Sequence, residues 1–202
     1  MSGGIFISYR RDDSAPWAGR LYERLARDFD KDKLFIDVDN IAPGADFAKV
    51  LDKRVADADV FLCIIGETWL SALDGDGRRR LDDPKDFVRI EVESALKRDR
   101  MLLVPVLVDG ARMPSADELP ESLRPLALRN AVELTHKRFG ADSDSLIASV
   151  AKSAQKSKGG IGRLLGRKAA ASESAVRGIA PAPAMRESFV IHARDEALSS
   201  YL

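Results

Sequence analysis

The chain has 202 residues, 45% of them hydrophobic, with 32 Lys plus Arg against 32 Asp plus Glu. That length suits one domain of ordinary size with something smaller attached, and the neutral balance gives no reason to expect nucleic acid or an anionic surface as partner. Cys63, the single cysteine, forms no internal disulfide; no run approaches the ~20 apolar residues of a spanning helix, and MSGGIFISYRRDD carries no export signal, so a soluble chain in a reducing cytoplasm is expected.

Gly4 to Tyr9, GIFISY, predicts a short first strand that stops at RRDDS. The segment SAPWAGRLYERLARDF follows as a helix with Ser14 as N-cap, Pro16 near its first turn, and Trp17, Leu21, Leu25 and Phe29 at helical spacing. Arg10 to Ser14 thus lie beyond the carboxyl end of a strand, where such folds collect ligand groups, although a solvated turn with compensating charges reads equally well. LFIDV is a second strand, and DNIAPGADF is a loop whose Pro43 and Gly44 prescribe a turn. AKVLDKRVADADV continues as an amphipathic helix, and VFLCIIG as an apolar third strand. Asp37 and Asp39 have no histidine or third carboxylate at ligand spacing, so no metal centre is expected.

Glu67 to Asp83 is polar and glycine-containing and reads as mobile, apart from a TWLSAL turn carrying Trp69. Arg78 to Arg80 would attract an anion or stand solvated. Asp83 then reads as N-cap of a helix with Pro84 in its first position, Asp86 in its first turn and LKRDR at its end. Within it Phe87, Glu91 and Ser94/Ala95 share one stripe, while Val88, Val92 and Ala95/Leu96 share the next. MLLVPVLVD is too continuously apolar for a half-exposed strand and is expected to be covered on both faces. A short helix in ELPESLRPL, a last strand AVEL, and a helix SDSLIASVAKSA capped by Ser143 or Asp144 complete the series. Strand, loop and helix alternate throughout, which predicts an α/β fold with a parallel sheet. No G-x-G-x-x-G or P-loop pattern follows a strand, so neither dinucleotide fingerprint is available.

FISYRR (6–11), FIDVDNIAPGADF (35–47), ADVFLCIIG (58–66), DFVRIEVESAL (86–96) and VPVLVDG resemble a TIR domain of the bacterial type, over residues 4 to 151. The resemblance implies a flavodoxin-like, doubly wound sheet of five parallel strands. Asp39, Asn40, Ile41, Ala42, Pro43 and Gly44 resemble the family's BB loop, which mediates TIR to TIR self-association and borders the active site. Many TIR domains hydrolyse NAD+ to nicotinamide and ADP-ribose or a cyclic isomer, using one glutamate four residues after an aromatic. Phe87-Val-Arg-Ile-Glu91 fits that pattern, with Phe where Trp is common, so Glu91 rather than Glu93 or Glu67 carries the implied catalytic role. Tyr9, Arg10, Arg11, Phe47, Trp69 and Phe87 are implied as substrate-binding residues. NAD+ is then the substrate, with no resident cofactor and no metal; anti-phage immune signalling and a sensor or effector partner are implied as the setting. The other function the resemblance allows is a non-catalytic adaptor or host-mimicking scaffold.

The chemistry suits such a short inventory. Nicotinamide leaves NAD+ as a neutral molecule from a cationic linkage, so one carboxylate near the ribose can stabilise an oxocarbenium-like state without a strong nucleophile.

From Lys152 the composition turns to Ala, Gly, Ser and basic residues, which predicts a flexible linker over 152–186. Residues 187–202 regain apolar character and read as a short terminal segment, either a docking helix or the start of a further module. Their FVIHARDE faintly echoes FISYRRDD.

Overall fold

The computed structural model describes residues 4–36 and 55–156, with side chains through 151. Five parallel strands form one sheet: β1 (Gly4–Ser8), β2 (Leu34–Ile36), β3 (Ala58–Ile65), β4 (Leu102–Val108) and β5 (Val132–Leu134). Their spatial order is β2-β1-β3-β4-β5, so the chain reverses direction across the sheet between β1 and β3. Doubly wound sheets hold ligands at the carboxyl ends of the strands that flank such a reversal. The expected fold class is the one observed.

Helices α1 (Arg11–Leu25) and α3 (Phe139–Lys156) cover one face, and α2 (Phe87–Leu96) with a 3₁₀ stretch at Glu121–Leu128 covers the other. Alternation along the strands divides the side chains accordingly. Ile5 and Ile7 join Leu62, Ile64, Val106 and Val108 against Trp17, Leu21, Leu25, Leu146 and Val150. Phe6 joins Phe61, Cys63, Ile65 and Leu103 against Val88, Val92, Ala95, Leu123 and Leu126. The stripe Trp17, Leu21, Leu25 and Phe29 is buried, as helical spacing demands. β4 ends in a turn through Asp109 and Gly110, both at positive φ, where glycine carries no steric cost and aspartate tolerates the conformation. Asp109 there accepts the Trp17 indole N–H at 2.7 Å, tying α1 to the end of β4.

Several local expectations are corrected. Arg11 to Asp13 form a helical turn rather than a loop, and Ser14 marks a kink (φ −139, ψ 18) at which the main part of α1 begins. The segment 67–83 is built rather than loose: Leu73 bridges Arg79, and Asp74 accepts the backbone N–H groups of Asp76 and Arg78. α3 starts at Phe139, before either expected cap; Ser143 is buried inside it and bonds the Gly140 carbonyl, while Asp142 receives the Thr135 N–H and hydroxyl. The helix also passes residue 151 and runs to Lys156. Among the described residues, no helix is long and apolar enough to cross a membrane.

Candidate active site

Aspartate 86, not Asp83, caps α2. Its backbone is extended (φ −63, ψ 127) and its Oδ1 accepts the Arg89 N–H at 3.0 Å, whereas Asp83 accepts the Lys85 N–H in the turn before. The same carboxylate receives Arg10 in a fork, Nη1 to Oδ2 at 3.0 Å and Nη2 to Oδ1 at 3.1 Å, and Arg80 Nε to Oδ2 at 3.1 Å. Four donors therefore converge on two oxygens, close to the capacity of an ionised carboxylate. Burial explains why the match must be so complete. The Arg10 and Asp86 side chains are 1% and 2% exposed, and charges so withdrawn from water persist only when paired and hydrogen-bonded.

Glu91 follows one and a half turns later. Val88, Glu91, Val92 and Ala95 sit at the i, i+3, i+4, i+7 positions of the face turned to the sheet, so the glutamate occupies a place its neighbours give to apolar side chains. It is 4% exposed. Ser8, the last residue of β1 and of the same strand parity as Phe6, donates its hydroxyl to Glu91 Oε2 at 2.6 Å. Cys63 lies opposite Ser8 in the β1 to β3 register. Burial pushes the Cys63 thiol up, and the Glu91 charge pushes it further against the opposing pull of Arg10, so the sulfur stays protonated.

Asp13 ties the strand exits together. From the first turn of α1 it accepts the backbone N–H of Gly66 at 2.9 Å, and that of Thr68 and the Thr68 hydroxyl at 2.8 Å each, joining the exits of β1 and β3. A Cβ at position 66 would run into the Asp13 carboxylate, which would have to shift away from its bonds to Gly66 and Thr68. Outside α2's first turn, a groove of about 150 Å³ is lined by Asp74, Arg80, Asp83, Lys85, Asp86 and Phe87, with the Phe87 ring 51% exposed.

The other two acids near this helix are placed differently. Glu93 faces the 3₁₀ stretch, bonded by Arg89 at 2.7 Å and by the Ser122 hydroxyl at 2.6 Å. Burial opposes its charge, yet those bonds hold it below the ordinary carboxylate range. Glu67 is exposed.

Of the residues implied by the resemblance, the structure brings Arg10 and Glu91 into this layer and puts Phe87 at its groove. Arg10 commits both Nη atoms to Asp86, while its buried Nε has no hydrogen-bond partner among the described residues, so it reads as a strut for α2. Tyr9 packs against the opposite core layer, following the parity of Ile5 and Ile7, and Arg11 is exposed at the first position of α1. Trp69 has no exposed surface and plugs the core beside Leu81 and Val88, its indole N–H without a partner; this placement offers no wall to a ligand. Phe47 and the loop Asp39 to Gly44 lie outside the described residues. The arginine run is not simply solvated: Arg79 bonds Asp82 and the Glu118 carbonyl, and Arg80 bonds Asp86. Sequence reasoning missed Ser8, although strand parity alone puts it on the face of Phe6. It also missed that Arg10 and Asp86, 76 residues apart, would meet.

A family model described as TIR domain matches residues 5–147. The NAD(+) hydrolase sarm1 of Drosophila melanogaster is 29% identical over 143 residues, 70% of this chain and 10% of that protein. The chain therefore spans about a tenth of the length of that curated relative. The TIR domains in the structure of the activated Roq1 resistosome directly recognizing the pathogen effector XopQ superpose with a TM-score of 0.52 at 15% identity, covering 75% of this chain and 99% of that one. A metazoan TIR-STING receptor from C. gigas in complex with 2′,3′-cGAMP gives a TM-score of 0.46 at 21% identity, over 69% of this chain and 38% of that one.

Proposed function

The chain belongs to the TIR domain family, and from that premise we propose that it hydrolyses NAD+ at the bond between nicotinamide and ribose, with Glu91 as the catalytic carboxylate. The observation that carries this reading is a glutamate withdrawn from solvent on the sheet-facing side of α2, bonded to the last residue of β1 at the carboxyl end of the sheet. A buried ion pair and an extra buried acid contribute little to stability compared with apolar packing, and concentrations of such groups mark functional sites. The printed name of the Drosophila relative supports the choice of substrate.

The reaction needs little more. As the glycosidic bond stretches, its electron pair goes to the nicotinamide ring nitrogen and positive charge grows on the ribose, where an oxygen of Glu91 stabilises it. Water then adds to the anomeric carbon and loses a proton, giving ADP-ribose; an adenine nitrogen adding in its place gives a cyclic isomer. The exposed Phe87 ring supplies an apolar stacking wall beside Arg80 and Lys85. Self-association through the loop Asp39 to Gly44 belongs to the same reading, so turnover per chain is expected to rise with protein concentration. A place in immune signalling, with a sensor or effector as partner, follows from the same reading.

Incubating the purified full chain with NAD+ and identifying products by chromatography and mass spectrometry tests the proposal. Nicotinamide with linear or cyclic ADP-ribose is expected, and none from Glu91→Ala. Absence of nicotinamide at every protein concentration, from a folded chain, would leave the scaffold reading in its place.

A further inference from the structure

We propose that Ser8 is a positioning residue for Glu91: its hydroxyl holds Oε2 and thereby fixes where the carboxylate meets the ligand. The proposal rests on the reading of Glu91 as the catalytic carboxylate.

A glutamate has three side-chain torsions, and each left free would spread its carboxylate over positions of which few face a ribose. Ser8 removes that freedom with a short lever. It is 1% exposed and closes β1, so its Cβ direction is set by strand pleating rather than by a loop. At 2.6 Å the bond to Glu91 lies in the range of a hydroxyl donating to an ionised oxygen, the stronger class of hydrogen bond. Such a bond favours the charged form of the acid, the form an oxocarbenium-like state requires.

Neighbouring groups have other commitments. Cys63, across the sheet from Ser8, stays a neutral thiol and a weak donor. Arg10 acts on Cys63 as a charge, with its Nη atoms committed to Asp86, as is Arg80 Nε, and its buried Nε bonded to no acceptor among the described residues, Glu91 included. Asp86, at the head of the same helix, is an acceptor that cannot support a second carboxylate. A face built for packing alone would continue the valines of positions 88 and 92 through position 91, opposite a small apolar residue at position 8.

The test compares Ser8→Ala, Ser8→Thr and Ser8→Cys with the wild-type chain by kcat, by KM for NAD+, and by the carboxyl ¹³C resonance of Glu91 followed over pH. Loss of one signal in Glu91→Gln assigns that resonance. Ser8→Ala is expected to lower kcat about tenfold to a hundredfold with KM close to wild type. Ser8→Thr, which keeps the hydroxyl, is expected to recover most of the loss, and Ser8→Cys, with its weak donor, to recover little. The Glu91 titration midpoint is expected to move up in Ser8→Ala, because a donor to the ionised form has gone.

A wild-type kcat together with an unmoved midpoint in Ser8→Ala overturns the proposal, as does a Ser8→Thr chain no better than Ser8→Ala. A wild-type chain inactive on NAD+ in which Ser8→Ala still raises the midpoint sinks the hydrolase reading and leaves Ser8 as the group that holds Glu91.

Discussion

The two faces of the sheet solve different problems. Against α1 and α3 the buried layer is a run of Ile, Leu, Val and Phe with Trp17 reaching Asp109 at its rim. Against α2 the layer is equally dry, yet every buried charged side chain among the described residues lies there: Arg10, Asp86 and Glu91. Removing charge from water costs several kcal/mol per ion, and excellent pairing does little better than break even with apolar packing. One face is thus what this sheet needs in order to stand, and the other keeps buried charge that packing alone does not call for. That charge sits at one end of the sheet, beside Ser8 and Cys63 at the carboxyl ends of β1 and β3.

Substitutions that set one face against the other sharpen this contrast. Asp86→Ala is expected to cut deepest, by about 3–5 kcal/mol in chemical unfolding, since it strands the buried Arg10 and uncaps α2 at once. NAD+ turnover is expected to fall with it, and an unchanged stability would mean that the Arg10 pair holds nothing in place. On the other face, Leu62→Ala should cost about 2–5 kcal/mol through the cavity it leaves, while kcat per folded molecule stays at the wild-type value. A fall in kcat with the fold intact would show that the two layers are not separable.

The smallest effect concerns Glu93, whose folded-state pKa lies below its ordinary value. A depressed carboxylate contributes stability that is present above its unfolded pKa, about 4.5, and is lost as pH falls through the lower folded value. Glu93→Gln should therefore flatten the acid limb of stability against pH by about 1 kcal/mol or less, the modest worth of a partly buried pair with Arg89. Thermal unfolding at a series of acidic pH values reads it. An unaltered acid limb would remove Glu93 from the account of acid sensitivity.

Much of the packing was legible because it depends on local periodicity. Trp17, Leu21, Leu25 and Phe29 announced the inner side of α1, and the unbroken apolar runs of β3 and β4 announced strands covered on both faces. Helix starts were less so, because three aspartates at 82, 83 and 86 compete locally and the choice falls to the one that Arg10 reaches from 76 residues away. The segment after β3 read as loose because its order comes from Asp13, on a different element. For the site, family resemblance chose Glu91, but helical spacing put it on the stripe of Phe87, whereas in the structure it is buried on the face of Val88 and Val92 and Phe87 is exposed. Its bond to Ser8 spans 83 residues, and no periodicity reports that. Trp69, implied by the resemblance as substrate-binding, instead lies fully buried in the core under α2.

Nicotinamide release by Glu91→Gln, measured beside its unfolding midpoint, tests the central claim most directly. The account predicts release reduced at least about 10²-fold to 10³-fold with the fold retained, since the amide keeps the shape and loses the charge. Release at the wild-type rate from the Glu91→Gln chain would contradict it.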